Sequence, residues 1–216
     1  MPWAPHWDCA APRKGGPLAL PHLLEIGSNI AMTGPVTILT HDYGVCVTKI
    51  YSGGEILGKQ KKTVIGNNVF IGWGACILPG TVIGDNTIIG AYAVVSGRLQ
   101  PNSVYAGNPA RLICSIEEYN TKRKNAQLSE AVEVFREYEI TFGKEPPEEL
   151  FHEYFLLFRG GVSSKPVLPE SFGKKLYDHG NYQESKKYYD NHVPMFDGYE
   201  EFRKYAVRVI HQKPEK

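Results

Sequence analysis

His41 is followed directly by Asp42, with Glu55 a short way further on. An imidazole can take a proton from a hydroxyl near neutral pH, which turns a weak nucleophile into a competent one. A carboxylate on the far ring nitrogen would fix the tautomer. Neighbouring side chains on an extended strand point in opposite directions, which favours Glu55 over Asp42 for that part. A lone histidine more often merely ends a strand, so its meaning depends on the segments that hold it. The four cysteines, Cys9, Cys46, Cys76 and Cys114, have no C-x-x-C spacing and suggest neither a zinc clip nor a redox pair.

The positioning elements are legible as a period of six. Ile65, Ile71, Ile77, Ile83, Ile89 and Val95 recur at every sixth position. Four residues after each stands an apolar or small one: Val69, Ala75, Thr81, Thr87, Ala93 and Leu99. Three residues after the first four come Asn68, Gly74, Gly80 and Asn86, types that tolerate a left-handed backbone. Neither a helical period of 3.6 nor simple alternation gives this pattern, whereas short flat strands joined by tight corners do. Three strands make one triangular coil, and stacked coils bury the aliphatics in a central column. The spacing predicts a parallel β-helix over residues ~65–113.

The same phase appears upstream at Ile26, Met32 and Ile38, with Asn29 in the corner register. From Ile38 to Ile65 is 27 positions, which is not a multiple of six, so an insertion leaves the β-helix between them. It occupies residues 41–63, carries Gly44, Gly53, Gly54 and Gly58, and begins at His41. The other six histidines lie outside the repeats.

Residues 1–22 hold five prolines and read as an irregular arm, and 23–113 as the β-helix with its extruded loop. Residues 114–216 read as an α-helical region. A first helix is expected over 115–142, with further helical runs at 147–159, 181–191 and 198–210. The aromatics Tyr154, Phe155, Phe158, Tyr188 and Tyr189 suit a core there, or else a sugar-binding surface. With 42% hydrophobic residues and 24 basic against 23 acidic ones, the chain reads as a globular protein with no basic field to attract nucleic acid. The apolar stretch at 17–24 is broken by prolines and too short to span a bilayer, so a cytoplasmic protein without a membrane span is expected.

From Val64-Ile65-Gly66-Asn67-Asn68-Val69-Phe70-Ile71-Gly72 through Ile77-Leu78-Pro79-Gly80 to Val82-Ile83-Gly84-Asp85-Asn86, the chain resembles the hexapeptide-repeat acyltransferases. The maltose and galactoside O-acetyltransferase group is the nearest type. Thr40-His41-Asp42 and Ala106-Gly107-Asn108-Pro109-Ala110-Arg111-Leu112-Ile113 match it as well, so the resemblance covers about 26–114. It implies a mainly β fold, a left-handed parallel β-helix with a C-terminal α-helical extension, assembled as a homotrimer with active sites between subunits. In that family the residue matching His41 is the general base, acting on the acceptor hydroxyl without an acyl-enzyme. Acetyl-CoA is the implied co-substrate, and no metal is implied.

Carried over residue by residue, the family's CoA contacts fall on Trp73, Ala91, Ser96 and Arg111. Trp73 stands where a small residue is common, Gly97 where a lysine is common, and Cys114 where a second arginine is common. The family's acceptor-holding asparagine, about a coil and a half before the histidine, has no counterpart in the proline-rich arm. The resulting expectation is an acetyl-CoA-dependent O-acetyltransferase acting on a saccharide hydroxyl, with His41 as base and Glu55 as its orienting carboxylate. The alternatives are N-acetylation of an amino sugar or transfer to a serine-type acceptor, and a non-catalytic β-helix scaffold.

Overall fold

In the computed structural model, residues 20–163, 168–177 and 180–212 are described. The arm expected over 1–22 lies outside them up to residue 19, and Pro21–Leu23 form a single 3-10 turn. Contacts divide the chain into two units, residues 1–119 and 120–216.

The first unit is a three-sided stack of parallel strands. One face aligns Leu24–Ile26, Thr63–Ile65, Val82–Ile83 and Arg98–Leu99. The second aligns Ile30–Met32, Val69–Ile71, Thr87–Ile89 and Ser103–Ala106, and the third Thr37–Ile38, Cys76–Ile77 and Val94–Val95. The register pairs like with like: Ile26 with Ile65 with Ile83, Met32 with Ile71 with Ile89, and Ile38 with Ile77 with Val95. Both inward registers are buried as the period predicts, Ile65 to Val95 in one and Val69 to Leu99 in the other. Each fully buried aliphatic contributes roughly 1.5–3 kcal/mol. Ile26, Met32 and Ile38 of the upstream coil are half-buried against this column.

One corner is made by asparagine. Asn29, Asn68, Asn86 and Asn102 all take φ of 54–56°, the left-handed region where this side chain costs least. Their amides form a ladder, each Nδ2 donating to the next Oδ1 at 2.8 Å. The corner therefore sets the turn of each coil and ties it to its neighbours.

The stack ends where strand Arg111–Ser115 turns back antiparallel on Ser103–Ala106. Helix α2, Ile116–Phe142, starts from this strand in a capping box. The Ser115 hydroxyl accepts from the Glu118 N–H at 3.1 Å, and Glu118 Oε2 accepts from the Ser115 N–H at 2.8 Å. The insertion is more ordered than a glycine-rich loop. It holds a short helix, α1, at Val45–Tyr51.

The second unit packs the rest of α2 with three shorter helices, α3 (Glu170–Tyr177), α4 (Tyr182–Asn191) and α5 (Tyr199–His211). The last two fall where expected. The run expected at 147–159 is instead two 3-10 turns, Glu148–Phe151 and Phe155–Leu157. Residues 157–160 are all buried, which a helix with one apolar face cannot achieve, so tight turns wrap this segment into the core. Helix α3 was not expected, because Gly173 and the Lys165-Pro166 break obscure its pattern. Phe155, Phe158 and Tyr189 are core, Tyr154 is half-buried, and Tyr188 is exposed and stacked on His192. Among the described residues no helix is long and apolar enough to cross a membrane.

Replacing Asn86 by alanine removes two rungs of the ladder and puts a Cβ with no compensating amide at positive φ. A loss of about 2–3 kcal/mol in denaturant unfolding is expected, with a smaller loss for Asn86→Gly, which relieves the backbone cost alone. Equal losses for the two variants would remove the conformational part of this account.

Candidate active site

His41 stands where the chain leaves the β-helix. The preceding strand, Thr37–Ile38, is the upstream strand of the third face, and Leu39 N–H continues its pairing by donating to Ile77 O at 2.8 Å. Thr40 is fully buried, and its hydroxyl accepts from Leu20 N–H at 2.7 Å. The returning chain closes on the same point, with Lys61 N–H donating to Thr40 O and the Thr63 hydroxyl to Leu39 O. Between these anchors His41–Asp42 pairs antiparallel with Lys59–Gln60. The insertion thus has a two-stranded neck, and His41 is fixed in it.

The imidazole lies edge-on to Tyr43, ring centroids 5.2 Å apart. Its Nδ1 is buried, with no hydrogen-bond partner among the described residues. Asp42 is committed elsewhere: Oδ1 accepts from Gly44 N–H at 3.1 Å and Oδ2 pairs with Lys59 Nζ at 2.7 Å. The Lys59 ammonium, then the Gly44 N–H, hold the Asp42 carboxyl below the usual range. Glu55 is exposed in the turn after α1, where its N–H donates to the Ser52 hydroxyl. Within one chain neither a hydrogen bond nor an ion pair joins its carboxylate to His41.

Trp73, Ala91 and Ser96 border the third face, and Arg111 stands at its top corner, where it opens the strand paired on Ser103–Ala106 of the second face. Because Met32, Ile71, Ile89 and Tyr105 are in register, the residues two further on, Gly34, Trp73, Ala91 and Gly107, stack as a column along one edge. Ser96 follows Val95 at the opposite edge. Arg111 lies at the top, next to Ala110, whose N–H donates to Val94 O at 2.9 Å. Adjacent coils are about 4.8 Å apart, so Trp73 and the level of Arg111 are separated by roughly 10 Å along the face. Trp73, Ala91, Ser96 and Arg111 are all exposed. His41 leaves from the lower end of this face, so the matched residues trace a strip from the histidine upward.

Two features of the strip were not anticipated. The Trp73 indole lies directly on Gly34: a Cβ built there would fall 1.8 Å from Trp73 Cε3. The exposed Tyr92 lies over Gly74 in the same way and takes φ of 56°, unusual for a bulky residue. It occupies the corner register three after Ile89, where Asn or Gly stands in the earlier coils, and that departure was its signal.

Residues 62–97 match the family description "Bacterial transferase hexapeptide (six repeats)". A probable macrolide acetyltransferase of Lysinibacillus sphaericus is 33% identical over 134 residues, which cover 59% of this chain and 73% of that protein. The chain belongs to the hexapeptide-repeat acyltransferases. Protein CapG of Staphylococcus aureus is 43% identical over 103 residues, 47% of this chain and 58% of CapG. A solved galactoside acetyltransferase in complex with coenzyme A is 36% identical, with 45% of this chain covering 48% of that one at a TM-score of 0.39. The chain therefore spans only about half the length of two of these relatives.

The neck carries a pH dependence. Asp42 has a lowered pKa, so its ion pair with Lys59 stabilises the neck above the ordinary carboxylate value near 4 and is lost as pH falls through the folded value. Asp42→Asn should speed hydrogen exchange of the 41–42 and 59–61 amides relative to the parent at pH 7. That difference should shrink as pH falls from 7 through the lowered Asp42 value, and a difference that stays the same over the whole acid range in which the protein remains folded would contradict it.

Proposed function

We propose that this chain is an acetyl-CoA-dependent O-acetyltransferase whose acceptor is a saccharide hydroxyl. The observation that carries the reading is the strip on the third face. Residues matched to the family's donor contacts border one face of the β-helix, and the histidine matched to its base leaves from the foot of that face. Membership in a family of acyltransferases supports the class of reaction, and the acetyltransferase name of the Lysinibacillus relative agrees with it.

In this reading the β-helix is left-handed, and three copies assemble with the donor in the groove between them. Arg111 pairs with a phosphate of the nucleotide end, where a guanidinium can offer a forked set of donors. Ala91 offers backbone groups to the pantetheine amides and Ser96 a hydroxyl. Trp73 meets the thioester end. His41 removes the acceptor proton as the hydroxyl oxygen attacks the thioester carbonyl. A backbone N–H holds the tetrahedral oxyanion, which collapses to the acetyl ester and CoA thiolate, and the imidazolium returns the proton to that sulfur.

The buried Nδ1 of His41 has no partner among the described residues, and an imidazole that becomes charged during attack gains from a carboxylate there. Glu55 is assigned that place when the insertion packs against a neighbouring copy. The exposed Val47, Ile50, Tyr51, Ile56 and Leu57 of the insertion support such packing, because α1 buries none of its own residues. A cytoplasmic location fits a soluble CoA thioester as donor.

The test is free-thiol release from acetyl-CoA across a panel of saccharides. His41→Ala should lower kcat by about 10²–10⁴-fold while CoA binding, measured by calorimetry, is retained. Glu55→Gln should lower kcat less, with KM for acetyl-CoA unchanged. Equal rates for His41→Ala and the parent would remove the assigned base, and a parent that binds no CoA would favour a scaffold role.

A further inference from the structure

We propose that Trp73, laid over Gly34, closes the lower end of the donor strip and restricts the acyl group to acetyl. This inference rests on the donor reading above and names which thioester that site accepts. In the column Gly34, Trp73, Ala91 and Gly107, three positions are glycine or alanine and leave the edge of the third face open. At Trp73 the edge is blocked. The indole does not project outward but drops onto the coil below, where Gly34 at φ 69° leaves it room. Any side chain at position 34 would collide with the ring, so the large residue and the small one form a matched pair.

The direction of the strip fixes what meets the ring. With a phosphate at the far end of the Arg111 side chain, above the top coil, the donor arm runs obliquely down past Ala91, and the donor reading puts its thioester at the level of Trp73. The indole fills the notch into which a longer acyl chain would continue. Tyr92 adds a side wall: its ring lies over Gly74, adjoining Ala91, and its N–H donates to Trp73 O at 2.8 Å. A bulky residue in the left-handed region carries backbone strain, which a corner built only for folding would avoid with the glycine that stands at 74 one coil below. Both rings remain open to solvent on the strip, at 51% exposure for Trp73 and 69% for Tyr92.

The experiment needs no acceptor. Dissociation constants for CoA, acetyl-CoA and butyryl-CoA are measured by calorimetry on the intact protein and on Trp73→Ala and Trp73→Phe. The parent should bind butyryl-CoA roughly 10-fold or more weakly than acetyl-CoA, as rejection of two added methylenes by a closed pocket requires. Trp73→Ala should abolish that ratio and Trp73→Phe should reduce it, each ratio being taken within one variant so that a loss of affinity shared by CoA and both thioesters cancels. Thermal unfolding of both variants checks that the fold is kept, and the phenylalanine variant carries the test if the alanine variant unfolds. A ratio unchanged in both folded variants, or a parent that binds the two thioesters equally, overturns the gate while leaving the donor site standing. A parent that binds none of the three ligands overturns the donor reading and the gate with it.

Discussion

Each coil of this β-helix is completed by its neighbours. A strand of two or three residues cannot bury an isoleucine alone, and its N–H and C=O groups need the coil above and the coil below. The central column from Ile65 to Val95 and the asparagine ladder from Asn29 to Asn102 meet that need by different means, burial on the inside and amide pairing on the outside. Both demand the same register. Once it is set, the third face becomes a flat strip whose edges are defined every 4.8 Å or so, and the residues that border it are fixed without any further packing of their own.

The insertion uses this rigidity. It departs and returns between two strands already locked in register, so the neck at His41–Asp42 and Lys59–Gln60 inherits a defined position from Thr40 and Thr63. Asp42 is consumed in holding the neck together, which leaves His41 oriented by the backbone and by Tyr43 while its Nδ1 has no partner among the described residues. A histidine held in place with an unpartnered ring nitrogen suits the proposed role of base, in which substrate and a neighbouring copy would complete its contacts.

Much of this was legible in the sequence because a period of six admits few structures. The column, the upstream coil at Ile26, Met32 and Ile38, the break at His41 and the helix after Ser115 all follow from residue type and spacing. What escaped depends on which residues become neighbours across the insertion. Regular coils pair residues 18 apart, as Asn68 with Asn86, whereas Gly34 meets Trp73 and Asn29 meets Asn68 across 39. No local pattern announces that offset. In the second unit, the segment from Phe151 to Gly160 is buried on too many sides for an amphipathic helix, and composition alone could not separate tight turns from helix.

The central claim is that the donor lies along the third face. A crystal structure of the protein grown with CoA tests it most directly. The account predicts CoA bordered by Trp73, Ala91, Ser96 and Arg111, with its phosphates toward Arg111 and its sulfur at the level of Trp73. CoA bound on either of the other two faces, or in the opposite direction with its sulfur at Arg111, would contradict it.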